Sequence, residues 1–326
     1  MYKFVVQLLK SGRSPLLFTA IEGARAGSMA VKDGDSVYGD QAIIPAFDEE
    51  SLPTVKDGIL IERIATPPRL VLCGAGHVSV YTAKVAKMIG FRVTVIDDRA
   101  EFANPERFPD ADEIQNEPFS NALERMNDPN TYYVIVTRGH RDDRLCLETI
   151  LQKPFAYCGM IGSKAKIKAV FDHLRAEGVA DDLLSRVHSP IGLPIGAVTP
   201  EEIAVCIAGE MIQVKNGFGH CTEWDEALIR SIESADERYA MVTLIEKHGS
   251  APRPAGARMI VKSDGTIISS VGGGFGEFEA SQHAKRMLEH GPSVMRYTCR
   301  MNNTDAASKG MICGGEIDIL ISIVEV

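Results

Sequence analysis

The residues best placed to do chemistry in this chain are mostly small ones. Gly74, Gly76 and Ser79 fill the three fixed places of a G-x-G-x-x-G/A pattern in "CGAGHVS", directly after the apolar run "RLVL". A glycine at 74 permits a tight turn. A glycine at 76 lets a phosphate approach the backbone N–H groups that open the following helix. Ser79 is still small enough for that helix to pack on its strand. Asp97 ends the alternating run "FRVTVID", 21 residues after Gly76, where an acid would bind a ribose hydroxyl. His77, in the turn, reads either as a contact to a bound ligand or as a local cap. Two further stretches follow the same logic. "YYVIVT" leads into "RGHRDDR", which puts His140, Asp142 and Asp143 at the carboxyl end of a strand. Metal binding, acid–base work and plain stabilisation of a helix N-terminus all suit that trio. In "YCGMIGSK", Gly162, Ser163 and Lys164 offer an anion backbone donors and one cation.

Such residues work together only if several strands end at one edge and helices begin there. Residues 67–220 have that pattern. Apolar, β-prone runs at 70–73, 91–97 and 132–137 alternate with helical stretches, the first of them carrying Tyr81, Lys84, Val85 and Met88 at helical spacing. "SPIGLPIGAVTPEEIAVCIAGEMI" adds a proline- and glycine-rich loop and a capped helix, with Thr199 as N-cap, Pro200 at the first helical position and Glu202 completing a capping box. The expectation is a Rossmann-like α/β domain with a doubly wound parallel sheet. Its boundaries are set by "ATPPRL" at 65–70, whose proline pair continues neither helix nor central strand, and by "KNGFGH" at 215–220.

The flanking segments, 1–66 and 221–326, read as two copies of one β-rich pattern. "LLFTAIEG" (16–23) aligns with "AMVTLIEK" (240–247), "AGSMAVKDGD" (26–35) with "AGARMIVKSDGT" (255–266), and "GILIERI" (58–64) with "DILISIV" (318–324). The copies differ in their loops. Where the second has "KHGSAPRP" (247–254), the first has only "GAR" (23–25), and the first has no counterpart of "VGGGFGEFEA" (271–280) or "GMICGGE" (310–316). Shared strands are scaffold; loops present in one copy only are where function belongs. The segments are therefore expected to form a reduced N-terminal subdomain at 1–66, a nucleotide-binding domain at 67–220 and a smaller α+β ligand domain at 221–326.

Composition narrows the class. Of 326 residues, 45% are apolar and 24% charged, as in a soluble globular protein. The net charge of −9, without any run of Lys or Arg, argues against a nucleic-acid or anionic-membrane binder. The first residues lack the features of a signal peptide, and no apolar stretch approaches the roughly 20 residues of a membrane span, so a cytoplasmic protein is expected. The seven cysteines have no CxxC spacing, which points to neither a disulfide framework nor a structural zinc site. Most read as small buried hydrophobes. Cys313, between Ile312 and Gly314-Gly315, is the exception.

At "GAGHVS", "VIDDR", "YCGMIGSK" and "SPIGLPIGAVTPEEIAVCIAGE", and again at "GSAPRPAGARM", "SVGGGFGE" and "GMICGGE", the chain resembles the XdhC/CoxI accessory proteins of molybdenum hydroxylases. The resemblance covers most of residues 67–326. In many members the glycine-rich domain comes first, whereas here the full copy comes last. The resemblance implies a cytoplasmic, often dimeric factor that binds molybdenum cofactor, stabilises it, assists its sulfuration with a sulfurtransferase and delivers it to a xanthine dehydrogenase-type enzyme. On that basis Gly249, Ser250, Gly256, Gly272, Gly273 and Gly274 would give backbone donors to a pterin phosphate, and Arg253 a cation. Glu277 would hydrogen-bond a pterin edge. Cys313, with Gly314 and Gly315, would supply the soft ligand that molybdenum or a transferred sulfur needs. Where members commonly carry "GGC", this chain has Gly274, leaving Cys313 without a second thiol.

The expected role is thus that of an accessory factor rather than a metabolic enzyme. Two alternatives stand beside it: an NAD(P)-dependent oxidoreductase working through the middle domain, and an enzyme of molybdopterin dinucleotide or sulfur transfer. The first leaves residues 249–316 without a purpose. The second lacks a Walker A motif.

Overall fold

The computed structural model describes residues 1–49, 52–217, 221–249, 255–301 and 315–326. The chain divides into two compact units, one made of Pro67–Phe218 and the other of Met1–Thr66 with Gly219–Val326.

The middle unit is a doubly wound sheet. Its six strands lie side by side in the order Glu113–Gln115, Arg92–Ile96, Arg69–Cys73, Thr131–Ile135, Tyr157–Met160 and Val187–His188. Every pairing is parallel. Numbered along the chain this is 3-2-1-4-5-6, the dinucleotide-binding order, with its switch point between Arg69–Cys73 and Thr131–Ile135. The strands read as apolar runs because both faces are covered. Val71, Cys73, Tyr133, Ile135 and Cys158 enter one core. Leu70, Leu72, Tyr132, Val134 and Tyr157 enter the other. Helix Pro200–Gly217 starts with the capping box read from its sequence: Glu202 N–H donates to Thr199 Oγ1 (3.3 Å), and the Glu202 carboxylate accepts from the N–H of Thr199 (3.1 Å).

The other unit contains two sheets built to one plan. In the first, Ile59–Ala65, Leu16–Ala20, Met29–Asp33 and Ser36–Gly39 lie in that order. In the second, the order is Gly315–Val324, Tyr239–Gly249, Arg258–Val261 and Ile267–Ser269. Registers agree position by position. Thr19 faces Met29 and Leu60, and its sequence-aligned counterpart Thr243 faces Arg258 and Leu320. Turn hydrogen bonds repeat as well, with Gly27 N–H donating to Ala20 O (2.8 Å) and Gly256 N–H to Leu244 O (2.7 Å). The first segment is a reduced copy of the last, as the sequence alignment expected.

The two sheets share cores. Ile21, Leu60, Ile245 and Leu320 form a cluster of two aligned pairs. A larger cluster joins Val5, Leu17, Ile64 and Trp224 to Met241 and Ile260. The turn glycines each press on the opposite sheet. A Cβ on Gly27 would lie 2.4 Å from Val294, and one on Gly256 would lie 2.3 Å from Glu62 and 2.4 Å from Thr222. Each copy's turn thus packs on the sheet of the other.

Candidate functional site

In the middle unit the fingerprint residues take the places their spacing predicts. Gly74 has φ 112°, and a side chain there would meet the Val136 carbonyl at 2.5 Å. That proximity holds the first turn against the chain leaving the fourth strand. Gly76 caps helix His77–Met88, and a Cβ on it would meet nothing within 4 Å. Ser79 is buried and donates to the Gly74 carbonyl, fastening helix to turn. His77 is exposed.

Asp97 ends the second strand, but its carboxylate is directed inward. It accepts from the N–H of Ala75 (2.8 Å), the N–H of Arg99 (3.1 Å) and Arg99 Nε and Nη2 (both 2.8 Å), and the residue is 1% exposed. Burial pushes this acid up, and the hydrogen bonds from Arg99 and Ala75 more than offset it, so its pKa lies below the ordinary value. The group expected to bind a ribose hydroxyl therefore has its acceptor positions filled by the protein itself.

Of the trio after the fourth strand, Asp143 is fully buried, accepting from Thr137 Oγ1 (2.7 Å) and pairing with Lys166. Asp142 pairs with Arg141 (3.3 Å) and lies 3.7 Å from Arg138. Both acids sit in the first turn of helix His140–Leu151, as the helix-dipole reading anticipated. Ser163 caps helix Lys164–Ala176 and accepts from Lys166 N–H (3.3 Å). Gly162 packs its Cα near Lys166, and Lys164 is exposed.

The second sheet of the other unit has a different asset. Strands Ile267–Ser269 and Val294–Met301 are each two antiparallel steps from Tyr239–Gly249, so all three run the same way. The ends Gly249 and Met301 fall at one end of the sheet, where Gly315 is paired with both, whereas Ser269 lies at the level of Val242; helix Gly274–His290 starts back near the first end, a Cβ on Gly276 lying 2.3 Å from Ile317. The chain positions that follow are the three the first copy lacks: 250–254, the glycine turn at 272–274, and 302–314. In the first copy the connection matching the last is only residues 57–58. Ser250, Arg253, Cys313 and Gly314 lie outside the described residues.

The glycine turn is stiff. Gly272, Gly273 and Gly274 have φ of 133°, 71° and 68°, a left-handed run that only glycine adopts easily. The Glu277 carboxylate accepts from Ser270 Oγ (2.6 Å) and from the N–H groups of Val271 and Gly273 (both 3.0 Å), and Gly272 N–H donates to Ser270 Oγ (3.0 Å). The amides of 272 and 273, read as donors to a phosphate, are thus bonded within the turn, and Glu277 holds the turn where a pterin contact was expected. A Cβ on Gly273 or Gly274 would still meet nothing within 4 Å, so the turn offers an open backbone face. Gly256, also read as a donor, gives its N–H to Leu244 and its space to Glu62.

The last contact belongs to a network that sequence reasoning missed. Arg258 and Glu62 are both fully buried and pair through two hydrogen bonds, with Nη1 to Oε1 at 3.0 Å. Thr222 donates to the same Oε1 (3.0 Å), and the Arg258 guanidinium lies 5.4 Å from the Trp224 ring centroid. A glutamate and an arginine inside apolar alternating strands were the available signal.

Of the six described cysteines, Cys73, Cys146, Cys158, Cys206 and Cys299 are buried, and Cys221 is exposed. Glu148, His173 and Glu177 come close enough to hold a metal, but Arg144 bonds His173 (2.8 Å) and Glu148 (3.2 Å), supplying the positive charge already. No described helix is long and apolar enough to cross a membrane.

Known proteins place these features in a family. Residues 70–211 match the XdhC Rossmann domain, and residues 233–298 match the XdhC and CoxI family. YqeB of Escherichia coli K12, described as uncharacterised, is 39% identical over 46% of this chain and 28% of its own length. A Bacillus subtilis protein, described as one of the probable subunits of a xanthine dehydrogenase, is 31% identical over 53% of this chain and 48% of its own. The chain thus spans less than half the length of either curated relative. A crystal structure described as a xanthine dehydrogenase from Bacillus halodurans shares the fold, with a TM-score of 0.51 at 24% identity over 65% of this chain and 62% of that one. Through its Rossmann domain and its second sheet alike, the chain belongs to the XdhC and CoxI family.

Proposed function

We propose that this protein is an accessory factor of a xanthine dehydrogenase-type molybdenum hydroxylase. It binds the molybdenum cofactor, protects it, assists its sulfuration with a sulfurtransferase and passes it to the enzyme. A cytoplasmic homodimer is part of the same reading. The observation that carries it is the meeting of two loop-bearing strand ends, Gly249 and Met301, at Gly315, with the helix that follows the glycine turn starting against Ile317, in the copy that matches the family and not in the reduced one. The open backbone at Gly273 and Gly274 suits a flat heterocycle lying close to the chain. Cys313 is the thiol whose sequence neighbours, Gly314 and Gly315, leave room for a ligand, and a thiolate is a soft donor matched to molybdenum or to a transferred sulfur. Arg253 adds the cation for a phosphate. As a separate function, the Rossmann edge takes a nucleotide.

Titration of molybdopterin into the purified chain tests the reading. Binding is expected, weakened about tenfold or more in Cys313→Ser and in Arg253→Ala, together with a gain of activity when the loaded protein meets a xanthine dehydrogenase-type apoenzyme. Undiminished binding in both variants would remove these residues from the site, and no binding by the parent would remove the role.

A further inference from the structure

We propose that the nucleotide edge of the Rossmann domain selects a dinucleotide whose adenosine ribose carries a 2′-phosphate over one with a free ribose diol. The inference rests on the reading of that edge as a nucleotide site. Its starting point is the state of Asp97. A carboxylate that recognises a diol must have acceptor positions turned toward the ligand, and this one accepts four hydrogen bonds from Ala75 and Arg99 while 1% exposed. A free diol therefore finds no acceptor there unless Arg99 is expelled from a bidentate pair.

Beside Asp97 the edge presents two guanidinium groups, with the exposed Asp98 and Glu101 acting on Arg99 as well. The Arg99 guanidinium is held on one side by Asp97 and stacks on the Phe102 ring, its centre 3.8 Å from the ring centroid. Arg107 approaches the same ring (5.1 Å) and donates to the carbonyl of Ala75 (3.4 Å), inside the glycine turn. Asp97 takes two of the five N–H donors of Arg99. The pair and the ring fix the direction of those that remain, so little side-chain entropy is lost when they meet a phosphate. Two guanidinium groups beside the turn at the end of the second strand form the arrangement that accommodates a 2′-phosphate in dinucleotide folds, with charge-assisted geometry suited to its oxygens.

Calorimetric titration of the full chain with NADP⁺ and with NAD⁺ decides it. The parent is expected to bind NADP⁺ at least about tenfold more tightly. Arg107→Ala, which leaves the Asp97–Arg99 pair in place, should weaken NADP⁺ and spare NAD⁺. Arg99→Ala should uncover Asp97 and reverse the preference. Equal or tighter binding of NAD⁺ by the parent would overturn the inference while leaving a nucleotide site standing, as would an Arg107→Ala variant that weakens both ligands alike. Binding of neither dinucleotide would overturn the nucleotide reading itself.

Discussion

Asp97 shows how far a residue's position and its work can separate. Spacing put it at the end of the second strand, and there it is, yet its contacts tie turn, strand and Arg99 together. Because its pKa is lowered on folding, the charged form stabilises the native state. That contribution is complete above the ordinary carboxylate value of about 4 and fades as pH falls through the lower folded value. Urea midpoints measured from neutral pH down into that acid range should therefore drop more steeply for the parent than for Asp97→Asn. Parallel slopes would mean that the carboxylate has no such role. Sequence made Asp97 easy to find because strand ends and glycine spacing are local. Its partner Arg99 was not read, since nothing local says whether a guanidinium turns toward an acid or toward solvent. The amides at 272 and 273 follow the same rule: glycine announces backbone access but not where the N–H points.

At the level of elements, the join between the two sheets depends on Glu62 and Arg258. Replacing one member of a fully buried pair leaves the other as an uncompensated charge, which costs about 3–5 kcal/mol. Glu62→Ala should lower stability by that order, whereas the double change Glu62→Leu with Arg258→Met should recover much of it, since a buried pair is often matched by apolar packing. Thermal or denaturant unfolding of the three proteins checks this; equal losses in the single and double variants would mean that shape, not charge, is the issue. The pair was hidden because its members lie 196 positions apart. The sheets themselves were legible. The aligned apolar runs marked the strands of both copies, although which residues face each other across a sheet was not read from them.

On the scale of the whole molecule, the middle unit has two cores of its own on either side of its sheet, whereas residues 221–326 have one core of their own, under helix Gly274–His290, and share the others with residues 1–66. A fragment of residues 67–218 is expected to fold cooperatively alone, and residues 221–326 alone are not, because Met241 and Ile260 would lose the cover of Leu17 and Ile64. Circular dichroism with thermal melts of both fragments tests this; a cooperative melt from the second would contradict it. The doubly wound fold was readable from alternating runs and the glycine turn, since every one of its signals is short-range. The union of first and last segments was not, because sequence shows that two stretches are alike without showing that they touch.

That union has a consequence for counting. Two identical halves meeting about a two-fold axis must carry two of everything, loops included. When the halves belong to one chain, each can change without the other, and here only the later half keeps the long connections at its sheet end. The frame is thus repeated while its long connections are carried by one half alone.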